Sequence, residues 1–115
     1  MNNNNNWGVE TDVMEKRWAA RRPVKISVDL RYKDIEVVNC QTRDISLNGA
    51  FVEVQQLQPS VNAAIDLVFR LGEPGRYTKY KVPGKVARAT GEGVGVMFEE
   101  LDISSFRSLR EVLQT

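Results

Sequence analysis

The chain has 115 residues, enough for one small domain with a single hydrophobic core but too few for two. Its formal net charge of +1 argues against a polycation that coats nucleic acid, and no apolar run is long enough to cross a membrane. Histidine is absent and Cys40 is the sole cysteine, which excludes the usual zinc sites and the Ser-His-Asp and Cys-His triads. The composition therefore predicts a cytoplasmic, non-catalytic protein that needs no cofactor.

The N-terminal residues 1–14 are predicted to be a disordered tail. Residues 2–6 are five consecutive asparagines, and the polar stretch after them has no hydrophobic periodicity. So little apolar surface cannot offset the entropy cost of ordering the chain.

Residues 15–115 are expected to form the domain. Its first segment, residues 15–26, is a basic arm with five cations against Glu15 alone.

Residues 24–32 begin a series of predicted β-strands. Val24 and Ile26 start an apolar series that alternates with Lys25 and further polar residues, which is the period-2 pattern of a half-buried strand. Further strands are predicted at 35–43, 49–55, 64–71, 76–89 (bent at Pro83-Gly84) and 93–100. Six or seven short strands at this spacing predict a mostly β fold, an antiparallel barrel or sandwich.

The hydrophobic period changes near the C-terminus. Apolar residues recur there every three to four positions, at Ile103, Phe106, Leu109 and Val112 or Leu113. This period predicts an amphipathic helix of about three turns, with Asp102 or Ser104 as its N-cap. In so small a domain, the helix is expected to plug one end of the barrel or to cover one face.

Two polar clusters carry residue types that suit nucleotide binding. Arg17 and Arg21 stand four residues apart, and the planar fork of each guanidinium matches phosphates and the O6/N7 edge of guanine. The second cluster, "DISLNG" at 44–49, offers the acceptor-only carboxylate of Asp44, which complements the N1–H and N2–H donors of guanine. Each cluster alone is more often a solvated basic tail or an ordinary hairpin turn.

Two further residues of the second cluster have a predicted geometry. In an extended strand Ser46 would face the same way as Asp44, while Ile45 and Leu47 would point to the core. Gly49 permits a positive φ, or the close approach of a ligand where a side chain would obstruct it.

The two clusters together resemble the paired signature of the PilZ domain family, RxxxR followed by (D/N)xSxxG. The signature is whole here, as "RWAAR" (17–21) and "DISLNG" (44–49), with Asp44 placed 23 residues after Arg21. The family fold, an antiparallel barrel of about six strands with a C-terminal helix, matches the predicted elements. The late strand "GVGVMF" (93–98) is also similar, and the resemblance covers residues 15 to about 113.

The resemblance implies a receptor for the bacterial second messenger cyclic di-GMP, a ligand that the family often binds as a stacked dimer. It implies that Arg17 and Arg21 hold phosphates and guanine edges, that Asp44 and Ser46 meet a guanine, and that Gly49 keeps the turn open. The ligand would order the flexible arm over the barrel and so create a surface for an unidentified downstream protein. Motility, pili or biofilm formation would be the output.

Other arm residues are accessory candidates. Lys16 stands where many family members have a further arginine, and it keeps the charge but lacks the fork. Trp18 is a candidate for stacking on a base, although packing against the barrel is at least as common. Arg22 and Arg88 are candidate ligand contacts, although solvated surface is the commoner position for such residues.

Two alternative functions stay open at this point. A small β-barrel can bind single-stranded nucleic acid through basic residues and aromatic rings, here Trp18, Tyr77 and Tyr80. The near-neutral charge and the lack of an aromatic stripe along one strand argue against it, so no DNA partner is expected. A PilZ-like protein can also act as a ligand-free interaction module, but such relatives usually have eroded motifs.

Cys40, inside a predicted strand, is expected to be a small buried hydrophobe.

Overall fold

The computed structural model describes residues 22–73 and 75–114. Its elements are strands β1 (Ser27–Tyr32), β2 (Ile35–Ile45), β3 (Gly49–Glu53), β4 (Ala64–Glu73), β5 (Arg76–Ala89) and β6 (Gly93–Phe98), followed by helix α1 (Ile103–Gln114). The strands close into an antiparallel barrel in the order β1-β2-β3-β6-β5-β4. The predicted mostly β barrel with one C-terminal helix is confirmed, with six strands. The predicted tail (1–14) and most of the arm (15–21) lie outside the described residues.

Alternate side chains of the strands fill the barrel interior. In β1 the buried apolar residues are Val28, Leu30 and Tyr32, which continue the alternation that starts at Ile26. Period-2 patterning therefore predicted this strand correctly, because one face of a closed barrel is always inside. Removing these side chains from water supplies roughly 25 cal/mol for each Å² of apolar surface, the main favourable term in folding.

The irregularity in the pairing of β5 does not coincide with Pro83-Gly84, where the sequence predicts a bend. Pairing with β4 is regular through Pro83 and Gly84, whereas the register with β6 shifts between Val86 and Arg88. Gly84 pairs with Phe98, the last residue of β6, so Pro83 lies beyond the end of that strand. A missing N–H costs the β5–β6 ladder nothing at such a position, so the proline leaves the pairing of β5 intact.

Helix α1 covers one end of the barrel. Its N-cap is Asp102, whose carboxylate accepts the Ser105 N–H at 2.7 Å, and this hydrogen bond lowers the pKa of Asp102. Leu109 and Leu113 are buried in the barrel core. Ile103 belongs to the predicted apolar stripe but is 70% exposed. Steps of three residues drift by about 60° around a helix, so the first residue of the pattern has rotated away from the barrel.

A buried ion pair lies on the outer surface, between β1 and β4. Asp29 alternates with the core residues as predicted, yet it is only 4% exposed. Nη2 of Arg70 donates to both of its carboxylate oxygens, at 2.9 and 2.8 Å, and Nη1 donates to Oδ1 of Asn39. Asn39 sits in the irregular stretch of β2 at φ 61° and donates its N–H to Asp29. The cluster therefore fixes the register of β2 against β1.

Cys40 follows Asn39 in β2 and lies near the Asp29 carboxylate. The residue is buried, and burial raises the pKa of its thiol, with a further contribution from the Asp29 carboxylate. A thiol that stays protonated is a poor nucleophile. The prediction that Cys40 is a small buried hydrophobe is confirmed.

Arg70→Ala is expected to lower the free energy of unfolding by about 3 kcal/mol, because the Asp29 carboxylate would stay buried without its cation. The matched control is Arg31→Ala, which removes an exposed pair with Glu36 and should cost under about 1 kcal/mol. Urea denaturation of both variants measures the difference. Equal, small losses would contradict a structural role for the buried pair.

Candidate functional site

The "DISLNG" motif spans the end of β2, a tight turn and the start of β3. Ile45 is fully buried inside the barrel, so its neighbour Asp44 faces outward and is half-buried. Asp44 pairs across the ladder with Phe51 of β3. The structure therefore presents the carboxylate on the outer surface of the barrel.

Ser46 has a different environment from the one that strand geometry predicts. The strand ends at Ile45, and Ser46 is the first residue of the turn, where it is only 2% exposed. Its N–H donates to the Gly49 carbonyl at 2.9 Å, and its hydroxyl oxygen accepts the Asn48 N–H at 3.1 Å. These bonds close the turn, so the observed contacts of Ser46 set the shape of the motif.

Gly49 is required by the close approach of another strand. It does not have a positive φ; among the described glycines, positive values occur only at Gly72 and Gly75. Gly49 pairs with Met97 of β6, and a Cβ atom at Gly49 would collide with the backbone carbonyl oxygen of Val96. Crowding by β6 thus explains the glycine without any ligand.

The basic arm joins the barrel beside this turn. Arg22 and Ile45 form an antiparallel bridge in which each backbone N–H donates to the other residue's carbonyl at 3.0 Å. Arg21, Arg17 and Lys16 of the predicted site lie outside the described residues. The bridge brings the chain immediately after Arg21 next to the residue immediately after Asp44.

Thr42 holds the next residues of the chain against β2. Its hydroxyl donates to the Val24 carbonyl at 2.6 Å and accepts the Ile26 N–H at 2.9 Å. The Thr42 N–H also donates to the Ile26 carbonyl at 3.0 Å. Residues 22–26 therefore form an anchored segment along β2, although they precede the first strand of the barrel.

The anchored segment and the turn share one end of the barrel with the helix. Antiparallel order brings the end of β2 and the starts of β1 and β3 to this end. A groove here is lined by Val24, Leu71 and Val112 of α1. The anchored segment and the helix therefore line the same groove.

A row of residues crosses the outer surface from Asp44. Across the ladders Asp44 pairs with Phe51, Phe51 with Gly95, and Gly95 with Arg88. The Phe51 ring is 2% exposed because guanidinium groups cover it, with Arg43 Cζ at 4.3 Å and Arg88 Cζ at 5.3 Å from the ring centroid. Sequence reasoning named Arg88 only as an accessory candidate and missed Phe51, because the row exists only through cross-strand register.

The aromatic residues considered for nucleic-acid stacking do not form one surface. Tyr77 is exposed on β5, whereas Tyr80 is partly buried against the barrel core. Residues three apart in a strand point to opposite faces, which separates the two rings. Trp18 lies outside the described residues.

Residues 22–73 and 75–114 contain no cluster of three His, Cys, Asp or Glu side chains that could hold a metal ion. In the same part of the chain, α1 is too short and too polar to cross a bilayer.

Comparisons with known proteins agree with the observed fold. A family model described as "PilZ domain" matches residues 15–114. The Bacillus subtilis inhibitor of motility MotI/DgrA superposes with a TM-score of 0.70 at 17% identity, over 82% of this chain and 47% of that one. The PilZ domain of CeSA from a cellulose-synthesizing bacterium superposes with a TM-score of 0.65 at 18% identity, over 83% and 95% of the two chains. No curated protein sequence matches this chain significantly.

These identities are low, so the two structures establish likeness of fold alone. The chain spans about half the length of MotI/DgrA, 47%, whereas it accounts for nearly all of the CeSA domain, 95%. The part of MotI/DgrA that superposes is therefore one region of a longer protein.

Gly49→Ala is expected to destabilise the fold by about 1–3 kcal/mol, because the added methyl group meets the β6 backbone. The control is Gly91→Ala, where a Cβ atom meets nothing within 4 Å and the change should stay within about 0.5 kcal/mol. Thermal unfolding of both variants without ligand tests the difference. A Gly49→Ala protein as stable as the wild type would mean that the glycine serves something other than strand packing.

Proposed function

This chain belongs to the PilZ domain family, whose model matches residues 15–114, and from this premise we propose that it is a non-catalytic receptor for cyclic di-GMP. The ligand binds between the basic arm and the outer surface of the barrel. Lys16, Arg17 and Arg21 contact it from the arm, and Asp44, Ser46 and Gly49 belong to the barrel side of the site.

The backbone bridge between Arg22 and Ile45 carries the proposal. Arg21 directly precedes Arg22, and Asp44 directly precedes Ile45. The residue that follows the first half of the signature is thus joined to the second half by two backbone hydrogen bonds. This junction supports a site in which the arm and the Asp44 turn act together.

Each group has a definite chemical role in this proposal. The guanidinium forks of Arg17 and Arg21 donate to phosphate oxygens and to O6 and N7 of guanine. The Asp44 carboxylate accepts from N1–H and N2–H of a guanine, which adenine cannot offer in the same arrangement. Ser46 acts by holding the turn that presents Asp44, consistent with its two hydrogen bonds in that turn. Lys16 adds charge without a fork.

The expected affinity is micromolar. Charge-assisted hydrogen bonds contribute roughly 1.5–3 kcal/mol each, so four or five give on the order of 6–15 kcal/mol before costs. Association and ordering of the arm subtract several kcal/mol. A net value near −8 kcal/mol corresponds to a Kd of about 1 μM, which suits a signal that must be released.

Ligand binding orders the arm over the barrel, and the new surface recruits a downstream protein. The site needs no catalytic group, and no reaction is assigned to this chain. The compartment is the bacterial cytoplasm, where the messenger is made. The similar MotI/DgrA and CeSA domains belong to an inhibitor of motility and to a protein of a cellulose-synthesizing bacterium, so motility and biofilm formation are the outputs that we favour.

Calorimetric titration of the full chain with cyclic di-GMP tests the receptor. The wild type should bind with a Kd near 1 μM, and Arg17→Ala, Arg21→Ala and Asp44→Ala should each weaken binding at least tenfold. Lys25→Ala, an exposed cation of the anchored segment outside the signature, should change Kd less than threefold.

The outcomes separate the rival functions. A wild-type protein that does not bind cyclic di-GMP would overturn the receptor and favour a ligand-free interaction module. Affinity for a single-stranded oligonucleotide that falls steeply with salt, without preference for the guanine dinucleotide, would favour the nucleic-acid barrel. Equal effects of Lys25→Ala and Arg21→Ala would reject the assigned binding mode.

Ordering of the arm predicts a fluorescence change. Both tryptophans, Trp7 and Trp18, precede Arg22, so Trp7→Phe leaves Trp18 as a single reporter within the signature. Cyclic di-GMP should shift its emission to the blue and reduce its quenching by acrylamide. Unchanged quenching at a ligand concentration that saturates the calorimetric titration would contradict arm ordering while leaving binding intact.

A further inference from the structure

Strand β2 is longer than the strand that pairs with one of its edges. On the β1 side, its pairing runs along residues 35–41. On the β3 side, the pairing ends at Gln41 and Glu53. Within 22–73 and 75–114, residues 35–40 therefore have a strand neighbour on one edge only. Alternate residues of an antiparallel strand turn their N–H and C=O groups away from a given neighbour, so this stretch presents backbone donors and acceptors on its open edge.

A cleft lies where β3 leaves β2. The Val54 N–H donates to the Glu92 carbonyl at 3.3 Å, which directs the chain after β3 toward the loop between β5 and β6. The cleft has a volume of about 590 Å³, with residues 37–40 of β2 on one side and residues 53–56 on the other. An extended segment placed in this cleft would continue the line of β3 and pair with the open edge of β2.

The open edge has the residue types of a strand that accepts another strand. Ile35 and Val38 are 50% and 51% exposed, and Val37 is partly buried against the core. Natural edge strands are usually protected from pairing by lysine, proline or a bulge. Residues 35–40 contain neither lysine nor proline, and the register shift lies at one end of the stretch, between Val37 and Cys40. The edge is therefore suited to pairing with a further strand.

The rim of the cleft has a small excess of negative charge. Glu53 and Glu92 both line it, and their side chains are 43% and 75% exposed. Arg43 lies between them, with Nε 3.8 Å from the Glu53 carboxylate and Nη2 2.8 Å from that of Glu92. One cation thus faces two anions. A segment that carries lysine or arginine would complete the balance, whereas an acidic segment would be repelled.

We infer that this cleft is a docking site for an extended segment of another protein, in which apolar residues alternate with lysine or arginine. The segment adds to β2 as a further strand, and its backbone hydrogen bonds with residues 35–40 supply the affinity. Its apolar side chains meet Val37 and Val54, and its cations meet Glu53 and Glu92. This surface uses neither the arm nor any residue of the proposed cyclic di-GMP site, so the inference goes beyond the receptor function.

Two other occupants are disfavoured by the shape and charge of the cleft. The edge strand of a second barrel has a neighbouring strand behind it, which would collide with residues 53–56 on the far side of the cleft. In the chain's own tail, residues 9–13 include Glu10 and Asp12, which the rim carboxylates would repel. A single basic strand from a partner avoids both the collision and the repulsion.

Nuclear magnetic resonance of the isotope-labelled full chain tests the docking site. The probe is an acetylated and amidated hexapeptide that alternates valine with lysine. Without cyclic di-GMP, this peptide should shift the backbone amide signals of residues 35–40 and 53–56 and slow the hydrogen exchange of the open edge. A control hexapeptide that alternates valine with glutamate should bind about tenfold more weakly, because of the charge on the rim.

Three variants locate the peptide on the edge and the rim. Val38→Lys should weaken binding of the lysine peptide about tenfold or more, because it places a cation beside the open edge. The matched control is Val61→Lys, since Val61 is 58% exposed and lies outside the cleft, and it should change Kd less than about threefold. Glu53→Gln leaves Arg43 and Glu92 in balance, so the preference for the lysine peptide over the glutamate peptide should fall. Thermal unfolding of the two valine variants should stay near that of the wild type.

Several results would overturn the docking site. One is the absence of peptide-induced shifts at residues 35–40, and another is an equal effect of Val38→Lys and Val61→Lys. A dimer that analytical ultracentrifugation detects and that Val38→Lys dissociates would assign the edge to a second copy instead. Complete exchange protection of residues 35–40 in the free monomer would assign it to the chain's own tail.

The failure of the docking site is distinct from the failure of the receptor. Calorimetry of Val38→Lys with cyclic di-GMP should give the wild-type Kd, because Val38 lies outside the proposed ligand site. A wild-type protein that binds the lysine peptide but not cyclic di-GMP would keep the docking site and overturn the receptor alone. The opposite result would overturn the docking site alone.

Discussion

Two backbone hydrogen bonds join Arg22 to Ile45, and through them the basic arm enters the barrel at the "DISLNG" turn. The bridge extends the pairing of β2 beyond the point where β1 begins. The Thr42 hydroxyl holds the following residues against β2 through hydrogen bonds to the backbone of Val24 and Ile26. Because Ile45 must point into the core, Asp44 must point out, and the same strand positions Arg22 beside it.

This junction lies at the barrel end that helix α1 covers. Leu109 and Leu113 of the helix share their core with the strands, and Val112 lies in the groove beside Val24. An arm that closes on a ligand would therefore act next to an element whose packing depends on the same end of the barrel. In the proposed receptor, this arrangement would connect the ligand to the helix.

Two pairs of charged residues on the outer surface differ in their arrangement. Asp29 and Arg70 neutralise each other in a nearly buried pair, and they hold the register of β2. Asp44 and Arg88 lie at opposite ends of one row, with an aromatic ring and a glycine between them. The first pair belongs to the fold, whereas the second two residues lie on strands that are three steps apart in the barrel.

The sequence by itself determined the class of fold, the family signature and the local elements. Alternation from Val24 to Tyr32 marked the inward face, and Asp102 or Ser104 marked the start of the helix, because strand periodicity and helix capping depend on near neighbours. Only the tertiary structure decided that Asp29 is buried, that Gly49 makes room for β6, that Ser46 closes its turn and that Arg88 stands in line with Asp44. These facts depend on which residues meet across strands, and register shifts near Asp29, Arg43 and Ala87 alter that matching. Such shifts arise from long-range pairing within a closed barrel, which no local pattern encodes.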